Sequence, residues 1–147
     1  MSNSKRWCLV VPTVTLVIGF AAGSLVAPWS VARAQSNKRV FEIRTYTAPE
    51  GKLDALHARF RNHTIKIFDR LGMKNVGYWT PQDAPQSSNT LIYILAHPSR
   101  EAAKENWAKF QNDPEWQKVR AESEAQGRLT TKVESVFVDP TDYSPMK

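Results

Sequence analysis

The chain of 147 residues contains a single cysteine, Cys8, which lies in an N-terminal segment. The rest of the sequence therefore cannot supply a disulfide, a cysteine metal cluster or a thiol nucleophile. It also lacks a glycine-rich phosphate loop, a haem-attachment motif and a Ser–His–Asp order. These absences argue against hydrolases and nucleotide-dependent enzymes. The length suits one compact domain with tails.

The excess of positive charge is small once the N-terminal segment is set aside. Residues 1–34 hold three of the 20 basic residues and no acid, which leaves 17 basic against 14 acidic residues. A nucleic-acid-binding protein usually shows a concentrated basic face, so we expect no nucleic-acid partner. The hydrophobic share of 41% is typical of a soluble globular domain.

Residues 1–34 have the features of a secretory signal peptide. Lys5 and Arg6 precede an uncharged stretch, and Ala32-Arg33-Ala34 has the small-x-small pattern that signal peptidase reads. We predict cleavage after Ala34 and export to the periplasm or the exterior, with no stable membrane span afterwards. An uncleaved N-terminal membrane anchor is the alternative, because the uncharged stretch is long enough to cross a bilayer. Sec and twin-arginine export both remain open.

The remaining sequence predicts the order strand, helix, strand, strand, helix, strand. The predicted strands are residues 40–47, 75–80, 90–96 and 133–138, and the predicted helices are residues 52–71 and 100–126. Asp113-Pro114 breaks the second helix in two, because aspartate is a common N-cap and proline suits the first helical position.

This order is typical of an α+β ferredoxin-like βαββαβ fold, a four-stranded antiparallel sheet with helices on one face. We assign residues 35–39 to a short linker, 40–139 to the domain and 140–147 to a polar C-terminal tail. The uncovered sheet face is expected to carry aromatic and aliphatic side chains from several strands: Leu91, Tyr93, Leu95, Tyr46 and one of Tyr78 and Trp79. A monomer rarely exposes such a patch, so we predict a homodimer packed sheet to sheet.

Several spaced motifs together resemble the NIPSNAP family. They are Phe41-Glu42-Ile43-Arg44-Thr45-Tyr46, Gly51-Lys52-Leu53, Leu71-Gly72-Met73 leading to Val76-Gly77-Tyr78-Trp79-Thr80, and Asp113-Pro114-Glu115-Trp116. The resemblance runs from about Val40 to Val138 and implies a dimeric α/β barrel of ferredoxin-like subunits. The wider superfamily includes cofactor-free monooxygenases, isomerases and haem-binding peroxidase-like proteins. The family supplies no catalytic residue set that transfers to this chain, and the signal peptide departs from the mitochondrial setting of eukaryotic relatives.

Three residues are candidates for catalysis. His63 lies in the apolar stripe of the first helix and could act as a general base. Arg44 could hold an anion and Tyr46 could donate a proton. The structural alternatives are a partly buried histidine bonded to a backbone carbonyl or a neighbouring side chain, and an ion pair of Glu42 and Arg44 across strands or across the dimer.

Aromatic residues are the candidates for ligand binding. Tyr78, Trp79, Tyr93 and Trp107 could line a site for a flat, apolar molecule, although aromatic residues at such spacing often form core. His57 lies about 240° around the helix from His63, so the two cannot share a metal ion, and we predict no metal site and no cofactor. His97 is expected in a loop.

Three functions follow from these patterns. The first is an exported, dimeric protein of uncharacterised role that binds a small apolar molecule or a protein partner. The second is a cofactor-independent monooxygenase or isomerase acting on a small aromatic or enolisable substrate, with the three catalytic candidates named above. The third is a dimer that recognises another protein through the loop at residues 81–89.

Overall fold

The computed structural model describes residues 39–146, so the predicted signal peptide and most of the predicted linker lie outside the described residues. The four strands are β1 (Val40–Thr47), β2 (Lys74–Trp79), β3 (Thr90–His97) and β4 (Lys132–Val138). The first long helix consists of α1 (Leu53–Arg59), a π-helical turn (Phe60–Thr64) and α2 (Ile65–Arg70). The second consists of α3 (Arg100–Gln111) and α4 (Pro114–Ser123). Within the loop between β2 and β3, Gln86–Ser88 forms a short 3₁₀ turn.

The strands form one antiparallel sheet in the order β2-β3-β1-β4. The two central strands come from different halves of the chain, β1 from the first and β3 from the second. This is the interleaved arrangement of a ferredoxin-like fold. The predicted fold class is therefore confirmed, including the break in the second helix. Ser99 Oγ and Asp113 Oδ1 accept backbone N–H groups at 3.1 and 3.0 Å and cap α3 and α4.

The assignment of the two sheet faces was wrong. Side chains of β3 that we expected on the uncovered face, such as fully buried Tyr93, instead form the core with helix residues Phe60 and Phe68. Pairing of Arg44 with Tyr93 and of Tyr46 with Leu91 places the polar side of β1 on this same helix-covered face.

The uncovered face carries the opposite set of side chains. Strand alternation and register place on it Trp79, Ile92, Ile94, Ile43 and Val136. Trp79 and Val136 are 49% and 58% exposed.

The C-terminal tail covers one end of this outer face. Pro140, Ser144 and Met146 line a small cavity together with Phe41 of β1, which is only 5% exposed although it points away from the helices. Residues 139–146 therefore pack against the sheet, and the uncovered apolar area lies toward the other end of the strands.

The π-helical turn changes which side chains of the first helix face the sheet. The backbone N–H of Ile65 bonds to the carbonyl of Phe60, five residues back, so this turn holds one residue more than an α-helical turn. Thr64 takes the buried position after Phe60, and its hydroxyl donates to the Arg59 carbonyl at 3.3 Å. His63 is exposed, contrary to its predicted place on the buried stripe.

No helix formed by residues 39–146 is both long enough and apolar enough to span a membrane.

Candidate functional site

A buried carboxylate lies at the centre of a polar cluster on the helix-covered face. Glu42, in the middle of the sheet on β1, is 1% exposed. Its Oε1 accepts hydrogen bonds from Arg44 Nη1 and Ser135 Oγ, both at 2.6 Å. Its Oε2 accepts from Trp107 Nε1 at 2.7 Å and contacts His97 Nε2 at 3.1 Å. We call these five residues the Glu42 cluster.

The cluster keeps Glu42 ionised. Burial alone raises the pKa of this carboxyl group, but the three hydrogen bonds from His97, Ser135 and Trp107 and the charge of Arg44 outweigh it and lower the pKa to about 2. Since the ionised carboxylate carries no proton, His97 is the donor in their contact, through Nε2. His97 is also the last residue of β3 and is 1% exposed, so its predicted place in a loop was wrong.

Two of the predicted catalytic residues lie in or next to this cluster: Arg44 belongs to it and Tyr46 lies beside it. The guanidinium of Arg44 stacks on the Trp107 ring at 4.0 Å and lies 5.5 Å from the Tyr46 ring. Tyr46 Oη accepts a hydrogen bond from Tyr93 Oη at 2.9 Å. Glu42 and Arg44 form an ion pair within one strand, rather than across strands or across a dimer as we expected. The pair neutralises the charge that Arg44 would need to bind an anion.

The third predicted catalytic residue lies elsewhere. His63 lines a surface cavity of about 370 Å³ between the first helix and α4, together with Arg59, Glu122 and Ser123. Among residues 39–146, no contact joins His63 to Arg44 or Tyr46. The structure therefore does not bring the three together in one site, and their catalytic role stays a prediction.

A second cavity, of about 270 Å³, opens where the first helix crosses the edge strand β2. Aromatic and aliphatic side chains form most of its wall, and two basic residues and a hydroxyl complete it: Phe60, Ile65, Tyr78, Trp79, Leu91, His57, Arg61 and Thr80. We call it the β2-edge cavity. Of the predicted ligand-binding residues, Tyr78 and Trp79 line this cavity. Tyr93 lies in the core, and Trp107 belongs to the Glu42 cluster.

The aromatic wall of the β2-edge cavity is held in place from behind. Tyr78 stacks on Tyr93 with ring centroids 5.4 Å apart, and its hydroxyl donates to Asn75 Oδ1. Burial, followed by the nearby charge of Asp69, raises the pKa of Tyr78, so this phenol stays neutral. The Trp79 ring lies over Gly77. A Cβ atom added to Gly77 would lie 2.6 Å from the nearest atom of this ring. A glycine at this position therefore lets the indole lie close to the strand.

The polar side chains of the β2-edge cavity form few hydrogen bonds or salt bridges with the rest of the protein. His57 Nε2 lies 3.2 Å from Thr80 Oγ1, so one hydrogen bond joins the helix to the end of β2. Arg61 is exposed and forms no salt bridge with any of residues 39–146. The π-helical turn contributes both Phe60 and Arg61 to the lining, and such turns occur frequently at functional sites.

Sequence reasoning did not identify His57 and Arg61 as site residues. They are four residues apart, a spacing that places them on one helix face, and this was the available signal. Among residues 39–146, no group of three or more histidine, cysteine, aspartate or glutamate side chains could hold a metal ion.

These features define an α+β protein of ferredoxin-like fold with one polar cluster closed inside it and one cavity open at the sheet edge. The NIPSNAP family profile matches residues 41–145. The chain belongs to the NIPSNAP family.

Solved structures agree with this assignment. One NIPSNAP family protein from Agrobacterium tumefaciens has 25% identity and a TM-score of 0.65, with 76% of this chain and 93% of that chain covered. A second from the same organism, of unknown function, has 26% identity and a TM-score of 0.65 over 76% of this chain and 96% of that chain. SnoaB, a cofactor-independent oxygenase from Streptomyces nogalater, shares the fold at 15% identity and a TM-score of 0.50, covering 74% and 98% of the two chains. No curated protein matches the chain.

Proposed function

We propose that this NIPSNAP protein is an exported homodimer that binds a small, mostly apolar molecule in the β2-edge cavity. The observation that carries the proposal is the composition of the cavity wall, in which aromatic and aliphatic side chains surround a few polar groups. Ligand sites in proteins commonly have this composition. The volume of about 270 Å³ lies near the lower end of known ligand pockets, so we expect a compact ligand.

Filling the cavity tests the proposal. We expect planar aromatic compounds to bind the parent protein, and Ile65→Trp to weaken that binding by about tenfold or more, because the larger side chain occupies the space of the ligand. Titration calorimetry measures both affinities. Leu71→Trp is the matched control, since Leu71 is the C-cap of the same helix and is likewise half-buried but does not line the cavity. Equal binding by the parent and Ile65→Trp would contradict the proposed site.

The homodimer is proposed from the uncovered sheet face. Exposed Trp79 and Val136, with half-buried Ile43, Ile92 and Ile94 between them, form an apolar surface of a kind that monomers rarely leave in water. A second copy placed on it around a two-fold axis would cover the same patch on both chains. Sedimentation at micromolar concentration should show two-chain particles, and Val136→Lys should shift them to single chains.

A cofactor-independent monooxygenase or isomerase is the second candidate function. His57, which lines the β2-edge cavity and can act as a base, is the group that favours it. Arg44 and Tyr46 are not among the residues that line this cavity. Steady turnover of a hydroxy-aromatic or enolisable compound, lost in His57→Gln, would support this candidate over a binding protein.

Export is proposed from residues 1–34, and mature protein beginning at Gln35 is the expected product.

A further inference from the structure

The charged groups around the β2-edge cavity favour one sign of ligand charge. Its lining contains one arginine and one histidine, and neither aspartate nor glutamate. A carboxylate near its wall, Asp69, lies behind Tyr78 and accepts a hydrogen bond from Asn75 Nδ2 at 2.6 Å. An anionic group of a ligand would therefore meet a cation at the wall of this cavity and no acidic side chain there.

Arg61 differs from four other arginines among residues 39–146. Each of these others pairs with a carboxylate at 2.6 to 3.4 Å: Arg44, Arg59, Arg70 and Arg120. Within residues 39–146, Arg61 forms no such pair, although the π-helical turn places it at the cavity. The parallel N–H donors of its planar guanidinium therefore remain available for bidentate binding of a carboxylate.

The Thr80 hydroxyl adds a second polar contact point. It is exposed and shares one hydrogen bond with His57 Nε2. Since a hydroxyl can donate one hydrogen bond and accept two, Thr80 retains capacity for a ligand oxygen. The rings of Tyr78 and Phe60, 5.8 Å apart and edge to face, give the apolar wall on which a planar group would pack.

We propose that the β2-edge cavity is specific for a planar aromatic carboxylate, with the ring packed on Tyr78 and Phe60 and the carboxylate bound by Arg61. This inference rests on the proposed function and names the chemical class of its ligand. The aromatic wall supplies most of the buried contact, and Arg61 supplies discrimination between an acid and a neutral compound of the same shape.

The experiment compares an acid with its neutral isostere. 2-Naphthoate and naphthalene-2-carboxamide are titrated into the full-length protein by calorimetry at neutral pH and low salt. We expect the acid to bind about tenfold more tightly than the amide, and this preference to shrink as salt is raised. Arg61→Gln should abolish the preference while the amide binds as before. Arg128→Gln, a change at an exposed arginine outside the cavity lining, should keep it.

The outcomes separate this inference from the proposed function. If parent protein binds acid and amide equally, and Ile65→Trp removes both, the cavity is a ligand site but the carboxylate class is wrong. If Arg61→Gln keeps the full preference for the acid, the assignment to Arg61 is wrong. If neither probe nor any other planar aromatic compound binds the parent protein, both the ligand class and the proposed site are overturned.

Discussion

The Glu42 cluster and the β2-edge cavity use similar residue types for different ends. In the cluster, Arg44 pairs with a carboxylate that accepts three further hydrogen bonds, and only 15% of the Arg44 side chain is exposed. At the cavity, Arg61 is exposed and forms no salt bridge within residues 39–146. One arginine is paired with a buried carboxylate, although its Nε has no hydrogen-bond partner within residues 39–146, and the other arginine forms no salt bridge there.

This difference shows which of the two regions suits a ligand. A buried charge is tolerated only when its partners are in place, so a carboxylate with four partners contributes mainly to a unique packing of sheet and helix. An exposed cation beside an apolar wall has no such internal role. The comparison therefore favours a structural role for the Glu42 cluster and agrees with the binding proposed for the β2-edge cavity. The predictions below test whether the two regions differ in their contribution to stability.

The largest expected effect comes from neutralising the central carboxylate. Glu42→Gln keeps the side-chain shape but leaves Arg44 buried without a counter-charge, which should lower the free energy of unfolding by about 3–5 kcal/mol. Urea unfolding measures the change. Glu134→Gln is the control, since Glu134 is 51% exposed and its surface pair with Lys132 contributes less than about 1 kcal/mol. Similar losses in the two variants would refute the structural role of the cluster.

Acid should remove part of the same contribution. The pKa of Glu42 falls from 4.5 to about 2 on folding, so its stabilising contribution is complete above about pH 4.5 and is lost as the pH falls toward 2. The loss amounts to up to about 3 kcal/mol, and it should appear as the difference between parent and Glu42→Gln in urea midpoints measured across this range. A difference that stays constant from pH 5 to pH 2 would contradict the lowered pKa.

The smallest expected effect sharpens the contrast between the two arginines. Arg61→Gln should change the free energy of unfolding by less than about 0.5 kcal/mol, because an exposed, unpaired side chain is removed. Arg44→Gln should cost about 3 kcal/mol, since Glu42 loses its counter-charge. Thermal unfolding of both variants checks the order. A large loss in Arg61→Gln would mean that this residue supports the fold.

The sequence predicted the fold because its signals are local. Ser99 and Asp113 mark helix starts through bonds to backbone groups three residues away, and Pro114 follows the second of them. The alternation in β1 depends equally on neighbouring residues. Element order then suffices for the ferredoxin-like topology.

The sheet faces could not be read in the same way. Glu42 is buried because His97, Trp107 and Ser135, which lie 55, 65 and 93 residues further along the chain, provide its hydrogen bonds. Without those contacts, the polar side of β1 resembles a sheet face that no helix covers. The side of β3 that carries Tyr93 lies on the same face of the sheet, so the sequence predicted wrongly that it too is uncovered. The position of His63 was missed for a related reason, since the regular helical period does not include the extra residue of the π-helical turn.

That extra residue also makes the first helix tolerant of a change in chain length. An α-helix rotates by about 100° per residue, so the π-helical turn shifts the phase of α2 relative to α1 by roughly that angle. Deleting one residue within Phe60–Thr64 would let the turn close as ordinary α-helix, with both flanking segments keeping their contacts on the sheet. Such a shortened chain would retain its architecture, with one uninterrupted α-helix lying over the sheet.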